Sequence, residues 1–183
     1  MKIDLGEFQI RSYRASDKFS LIKYADNFNV AISLLDSFPF PYNEIEADMW
    51  LSYAMNQQPE MNFAIADKNE LIGAIGLKEM DDVYRYSFEV GYWLGEPYWG
   101  KGITTKALSA FTDYAFAHYK VVRLFAGVFD FNPASGKVLE KCGYTFEGRL
   151  KSAVVKKDKV YDQLLYAKVS EENIKKYFGK NTK

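Results

Sequence analysis

The sequence predicts a mixed α/β fold in a single domain, and three observations carry that reading. At 183 residues the chain is long enough to bury roughly 70% of its unfolded surface around one core. Apolar residues make up 48% of it and Phe, Tyr and Trp 17%, a composition that disordered chains lack. The hydrophobic periodicity changes along the chain in the order strand, two helices, three strands, helix, strand, helix, two strands. That order suits a mixed sheet better than a regular doubly wound one. No linker, internal repeat or low-complexity segment divides it, so residues 1–183 read as one domain.

Each element has its own reason. FQIRSY (8–13) alternates as a first strand. From Ser16 to about Leu35 the apolar residues Phe19, Ile22, Ala25, Phe28 and Ile32 recur at helical spacing, with Ser16 as N-cap. FPFPY (38–42) breaks that pattern, and a second helix opens at Asn43 with Glu46 in a capping-box arrangement. NFAIAD (62–67) and LIGAIGL (71–77) flank Lys68-Asn69-Glu70 as a hairpin. YRYSFEVGYWL (84–94) reads as a long strand with Tyr84, Tyr86, Phe88, Val90 and Tyr92 on one face, and Gly91 suggests a bulge or a close backbone approach. Ile103, Ala107, Leu108, Phe111, Ala115 and His118 mark the apolar face of a helix. RLFAGVF (123–129) is a strand, and Asn132 to Cys142 a short helix stopped by Gly143. Two strands near 150–156 and 160–169 and a polar helical tail (170–179) complete the chain.

Composition excludes several functions. Twenty-four Lys and Arg against 24 Asp and Glu argue against a nucleic-acid partner held by phosphate neutralisation. One Cys and one His permit no internal disulfide and leave little for a metal site. Asp4 and Glu7 interrupt any signal-peptide core, and no apolar run reaches membrane-spanning length, so a cytoplasmic protein without membrane partners is expected. Monomer and homodimer both stay open.

The sharpest feature is GEPYWGKGITTKAL (95–108), between a strand and a helix. Gly100 and Gly102 permit backbone conformations that a Cβ hinders, so successive amides can converge on an anion where the helix dipole also favours negative charge. Thr104, Thr105, Lys101 and Lys106 add hydroxyls and positive charge. A nucleotide P-loop fits Gly95 to Lys101 but places Gly102 where the metal-binding Ser or Thr belongs. A dinucleotide fingerprint counted from Gly100 meets Thr105 at its third glycine. A tight packing turn is the plain alternative.

FEVGYWL (88–94), YWGKGITTKAL (98–108) and NPASGKVLEKCGYTFEG (132–148) together resemble the GNAT superfamily of N-acetyltransferases, nearest the branch of ribosomal-protein N-terminal (alanine/serine) acetyltransferases and spermidine acetyltransferases. The resemblance covers about residues 8–169. It implies a mostly antiparallel central sheet, splayed to admit acetyl-CoA and flanked by helices, and an enzyme using acetyl-CoA as co-substrate without a metal. It implies pyrophosphate on the amides from Tyr98 through Trp99, Gly100, Lys101, Gly102, Ile103 and Thr104 to Thr105, and the pantetheine arm paired with Tyr92, Trp93 and Leu94. Asn132 matches the residue that bonds that arm, and it is also an ordinary N-cap. Lys137, one turn from Lys141, is a candidate for the adenosine phosphates or a solvated surface residue. The family's turn often begins with Gln or Arg where this chain has Pro97.

The implied acceptor is a primary amine, which must be neutral to attack. Glu89, opposite in strand phase to the aromatic row, matches a carboxylate of this branch and is the candidate base; a solvent-facing Glu is its plain alternative. Many relatives protonate the thiolate with a Tyr where this chain has Leu139. Ser135 matches a serine of the ribosomal-protein branch and is the candidate partner for the sulfur, ahead of Tyr144. Glu44, Glu46 and Asp48 are possible partners for a cationic acceptor, although early helical acids also suit the dipole. Cys142 and His118 read as structural. The expected acceptor is a protein or peptide N-terminus, with a polyamine or other small amine next. A non-catalytic CoA-binding sensor is the alternative of another class.

Overall fold

The computed structural model describes residues 1–179. Its strands are β1 (Lys2–Asp4), β2 (Gln9–Arg11), β3 (Asn62–Ala66), β4 (Leu71–Glu79), β5 (Ser87–Leu94), β6 (Arg123–Phe129), β7 (Thr145–Lys156) and β8 (Lys159–Val169). The helices are α1 (Lys18–Ala25), α2 (Phe28–Ala31), α3 (Glu44–Asn56), α4 (Ile103–His118), α5 (Pro133–Lys141) and α6 (Glu171–Phe178). The strands form one mixed sheet in the order β1-β2-β3-β4-β5-β6-β8-β7. β5 pairs with β6 in parallel, over Ser87–Glu89 against Arg123–Phe125, and β1 with β2, β2 with β3, β3 with β4, β6 with β8 and β7 with β8 pair antiparallel. Among the described residues no helix is long and apolar enough to cross a membrane.

The chain divides into two compact units. The first comprises Met1–Gly76 and Gly91–Leu108, the second Leu77–Val90 and the chain from Ser109 onward. In the first unit Tyr13, Leu21, Ala25, Tyr42, Ala47, Leu51, Ala54, Leu71 and Ala74 cluster, with Phe38, Trp50 and Trp93 packed against them. Beside this core lies a buried ion pair, Arg11 to Asp17, with both carboxylate oxygens accepting at 2.7 Å. Two parallel charge-assisted bonds compensate the desolvation of both groups. In the second unit Phe88, Phe111, Leu124, Leu139 and Tyr144 are buried.

Most elements form where the periodicity puts them, including the 62–77 hairpin. Its turn is closed by the Asp67 carboxylate, which accepts from the amides of Asn69 (2.7 Å) and Glu70 (2.9 Å). The helix expected from Ser16 to Leu35 is instead two. α1 begins at Lys18, and the chain breaks at Asp26-Asn27, where the extended Asn27 caps α2 by accepting from the amides of Asn29 and Val30. Side-chain acceptors of this kind compete with the helical ladder. The buried face is consequently Ser20, Leu21, Tyr24 and Ala25, while Phe19 and Phe28 are exposed. β5 starts only at Ser87, because Asp82–Tyr84 forms a 3₁₀ turn that leaves Tyr84 exposed. β1 was not expected, and β7 starts at Thr145 rather than near 150.

The close backbone approach belongs to Gly73, not Gly91. A Cβ at Gly73 would lie 2.4 Å from the Trp93 carbonyl oxygen, whereas one at Gly91 would meet nothing within 4 Å. His118 is exposed rather than on the apolar face. α4 runs past its last buried residue, Ala115, and the imidazole stacks on Tyr114 at 4.0 Å.

Candidate active site

In the first unit the segment after β5 makes a 3₁₀ turn, Glu96–Tyr98, and then passes through Gly100 and Gly102, both at φ +75°, into α4. A Cβ at either glycine would meet open space, so glycine is required for the backbone angle and not for room. The first amides of a helix have no intrahelical acceptor. Here the ladder begins with the Lys106 amide on the Gly102 carbonyl at 3.1 Å. Among the described residues the amides of Gly100, Lys101, Gly102, Ile103 and Thr104 have no backbone acceptor. Gly100, Lys101 and Gly102 are exposed, and Thr104 and Thr105 half-buried. Open amides, a helix N-terminus and the exposed ammonium groups of Lys101 and Lys106 suit a phosphate.

This narrows the expected set. The Tyr98 amide donates to the Gly95 carbonyl (2.9 Å) and the Trp99 amide to the Glu96 carbonyl (3.1 Å), so neither is available to an anion. The 3₁₀ turn, invisible in the periodicity, consumes them. The Leu94 carbonyl accepts from the Trp99 indole at 2.6 Å, and the Leu94 side chain is buried. Tyr92 and Trp93 are half-buried, with Trp93 edge-on to Phe38 at 5.8 Å.

The turn is tied to the helices of its own unit. Glu96 accepts through one carboxylate oxygen from Asn27 (2.7 Å) and through the other from Asn29 (2.9 Å). The Tyr98 hydroxyl lies 3.2 Å from that of Tyr24, which donates to Glu70 (2.7 Å). The Tyr24 hydroxyl and then burial push the Tyr98 phenol above its usual range, while Lys23 beside Glu70 holds that carboxyl below its own. These tethers join residues far apart in sequence, and no local signal in the chain announces them.

In the second unit Glu89 is half-buried on β5 between the buried Phe88 and Val90, on the opposite strand phase. Asn132 caps α5, its side-chain oxygen accepting from the Ser135 amide at 3.3 Å. Ser135 is half-buried in the first turn of that helix; Lys137 and Lys141 are exposed. Leu139 is fully buried. Tyr144 is buried with its hydroxyl 2.9 Å from that of Thr112, an arrangement that occupies the group in the core. Back in the first unit, the Lys18 ammonium holds both Glu44 (3.0 Å) and Asp48 (2.9 Å). Among the described residues no group of three or more His, Cys, Asp or Glu is placed to hold a metal ion.

A glycine-bent strand-to-helix turn with open amides, in a mixed and mostly antiparallel sheet, is an arrangement suited to a phosphorylated ligand. The profile of the acetyltransferase (GNAT) domain matches residues 8–145, and the chain belongs to that family; it is an acetyl-CoA-dependent N-acetyltransferase. It is similar to the uncharacterized N-acetyltransferase YoaA of Bacillus subtilis, at 28% identity over 142 residues, 78% of this chain and 73% of that protein. It is also similar to the ribosomal-protein-serine acetyltransferase of Escherichia coli, at 33% identity over 107 residues, 58% of this chain and 59% of that protein. Its fold matches that of a ribosomal L7/L12 α-N-protein acetyltransferase solved with coenzyme A, with a TM-score of 0.81 at 21% identity, covering 92% of this chain and 98% of the other.

Proposed function

We propose that this acetyltransferase acts on the N-terminal amine of a protein or peptide, by direct transfer in a ternary complex. The observation that favours this acceptor over a polyamine is the pairing of Lys18 with Glu44 and Asp48. One ammonium already bridges two of the three carboxylates available to a polycation in that segment, which lowers the negative charge left to attract one. An α-amine also needs less help: with a pKa near 8, of the order of a tenth is neutral at pH 7, against less than about a thousandth for an alkyl amine near 10.4. The likeness to the ribosomal-protein-serine acetyltransferase supports the same choice.

In this reading the amides of Gly100 to Thr104 hold the donor's pyrophosphate, and the backbone of Tyr92 and Trp93 pairs with its pantetheine arm. Asn132 and Lys137 are the remaining donor contacts. The amine nitrogen attacks the thioester carbonyl carbon, the C–N bond forms and the C–S bond breaks. Glu89, directly or through water, takes the proton the nitrogen loses. Ser135 donates a hydrogen bond to the departing sulfur, the task for which Leu139 supplies no hydroxyl.

The test is thiol release from acetyl-CoA with three acceptors: a peptide with a free N-terminus, the same peptide blocked there but bearing lysine, and spermidine. Release with the first alone is expected, and release with spermidine alone would install the polyamine reading. Glu89→Gln is expected to lower kcat by about a hundredfold, the span of a positioned base, with donor affinity unchanged. Wild-type turnover across pH would remove Glu89 from the mechanism.

A further inference from the structure

We propose that the corner between α1 and α2 positions the open amides of 100–104, acting through Glu96. The proposal rests on the reading that those amides take the donor's phosphates. A segment with two glycines at positive φ loses more backbone freedom on ordering than any other, so something must hold it ready. The holding contacts are on one side chain. Glu96 uses both carboxylate oxygens, one on the Asn27 amide group and one on that of Asn29. The Glu96 carbonyl in turn accepts from the Trp99 amide, the residue before Gly100. The direction of the chain into the turn is therefore set from the corner.

Two further contacts make the seat rigid. The Gly95 amide donates to the Ile72 carbonyl at 2.8 Å, and a Cβ at Gly95 would lie 2.7 Å from the Tyr24 ring, so α1 lies flush against the backbone here. Asn29 and Glu96 are exposed and outside the core. Nothing about burial explains why two asparagines converge on one carboxylate. The same corner also reaches the aromatic segment: Asp26 accepts from the Tyr42 amide at 2.9 Å.

Glu96→Ala and Asn29→Ala test this; Asn29 is preferred to Asn27, which also caps α2. The readouts are kcat, donor KM, calorimetric affinity for coenzyme A, the melting temperature, and the amide resonances of Gly100 and Gly102 in the free protein. Glu96→Ala is expected to raise donor KM about tenfold, with kcat close to wild type and a fall of no more than about 2–4 °C in melting temperature for the lost pair of exposed bonds. Both glycine resonances should move without ligand, Asn29→Ala should do part of this, and the double variant should be no worse than Glu96→Ala. Unmoved resonances with wild-type KM would overturn the positioning role, as would a fall in melting temperature with kcat and KM both impaired. Moved resonances with unchanged coenzyme A affinity would leave the corner in place and overturn the donor reading of the turn.

Discussion

The helices α4 and α5 each follow a strand in the chain, and their N-termini are finished in opposite ways. At α5 the chain closes its own helix: Asn132 accepts from the Ser135 amide, Pro133 occupies the first turn and has no amide to satisfy, and the Asn132 amide is spent on Phe129. At α4 the cap position is Gly102, which has no side chain to accept with, and the amides of Ile103 and Thr104 stay open. Leaving orphan donors at a helix start costs stability that a capping residue recovers, typically about 1 kcal/mol. The difference teaches where a ligand is expected. In the proposed reading, the N-terminus without a side-chain cap and bent by glycines takes an outside acceptor, and the capped one is structural first.

The contrast can be broken from either side. The largest effect is expected from removing the glycines: the double variant Gly100→Ala, Gly102→Ala forces two side chains into the left-handed region at roughly 1–2 kcal/mol each. Coenzyme A should then bind roughly a hundredfold more weakly by calorimetry, and its protective shift in melting temperature should vanish. Full affinity would mean that the open amides are not the phosphate site.

Ser135→Ala, on the capped helix, should lower kcat about tenfold, one lost hydrogen bond to the sulfur, while donor affinity holds. A fall in affinity instead would move Ser135 from the chemistry to binding. Asn132→Ala should lower the melting temperature by about 2–4 °C, the worth of one cap in a chain of this size. No shift would show that α5 does not depend on its cap.

The smallest expected change sharpens the comparison at the far end of α5, which is closed as well. There Cys142 is the C-cap, followed by Gly143 at φ +79°. Burial pushes the Cys142 thiol up, with Lys168 pulling against it. The thiol therefore stays protonated at pH 8, and alkylation by iodoacetamide should be slow in the folded protein and fast in denaturant, followed by mass spectrometry. Rapid alkylation of the folded chain would show an open helix end.

Much of this was legible in the sequence because the signals are local. The periodicity of 103–115, the Asn-Pro opening of α5 and the polar turn at 67–70 each depend on residues within a few positions of one another. The failures have different causes. A single helix from Ser16 to Leu35 is the better local reading, and it loses because Asp26 and Asn27 find partners at Tyr42 and Glu96. Tyr98 and Trp99 look like part of the anion turn until the 3₁₀ turn takes their amides.

By itself, the sequence determined that a glycine-rich turn lies between a strand and a helix, that an asparagine-led helix follows the next strand, and that both stand in the order of an acetyltransferase family. These are properties of backbone conformation and side-chain type, which neighbouring residues decide through sterics and short-range hydrogen bonds. Tertiary structure alone decided that Gly73 rather than Gly91 is the crowded glycine, that Tyr144 is spent on Thr112, and that Lys18 pairs with Glu44 and Asp48 of α3. Each of those depends on a partner distant in the chain, and a hydrogen bond or ion pair has no existence until folding brings both halves together.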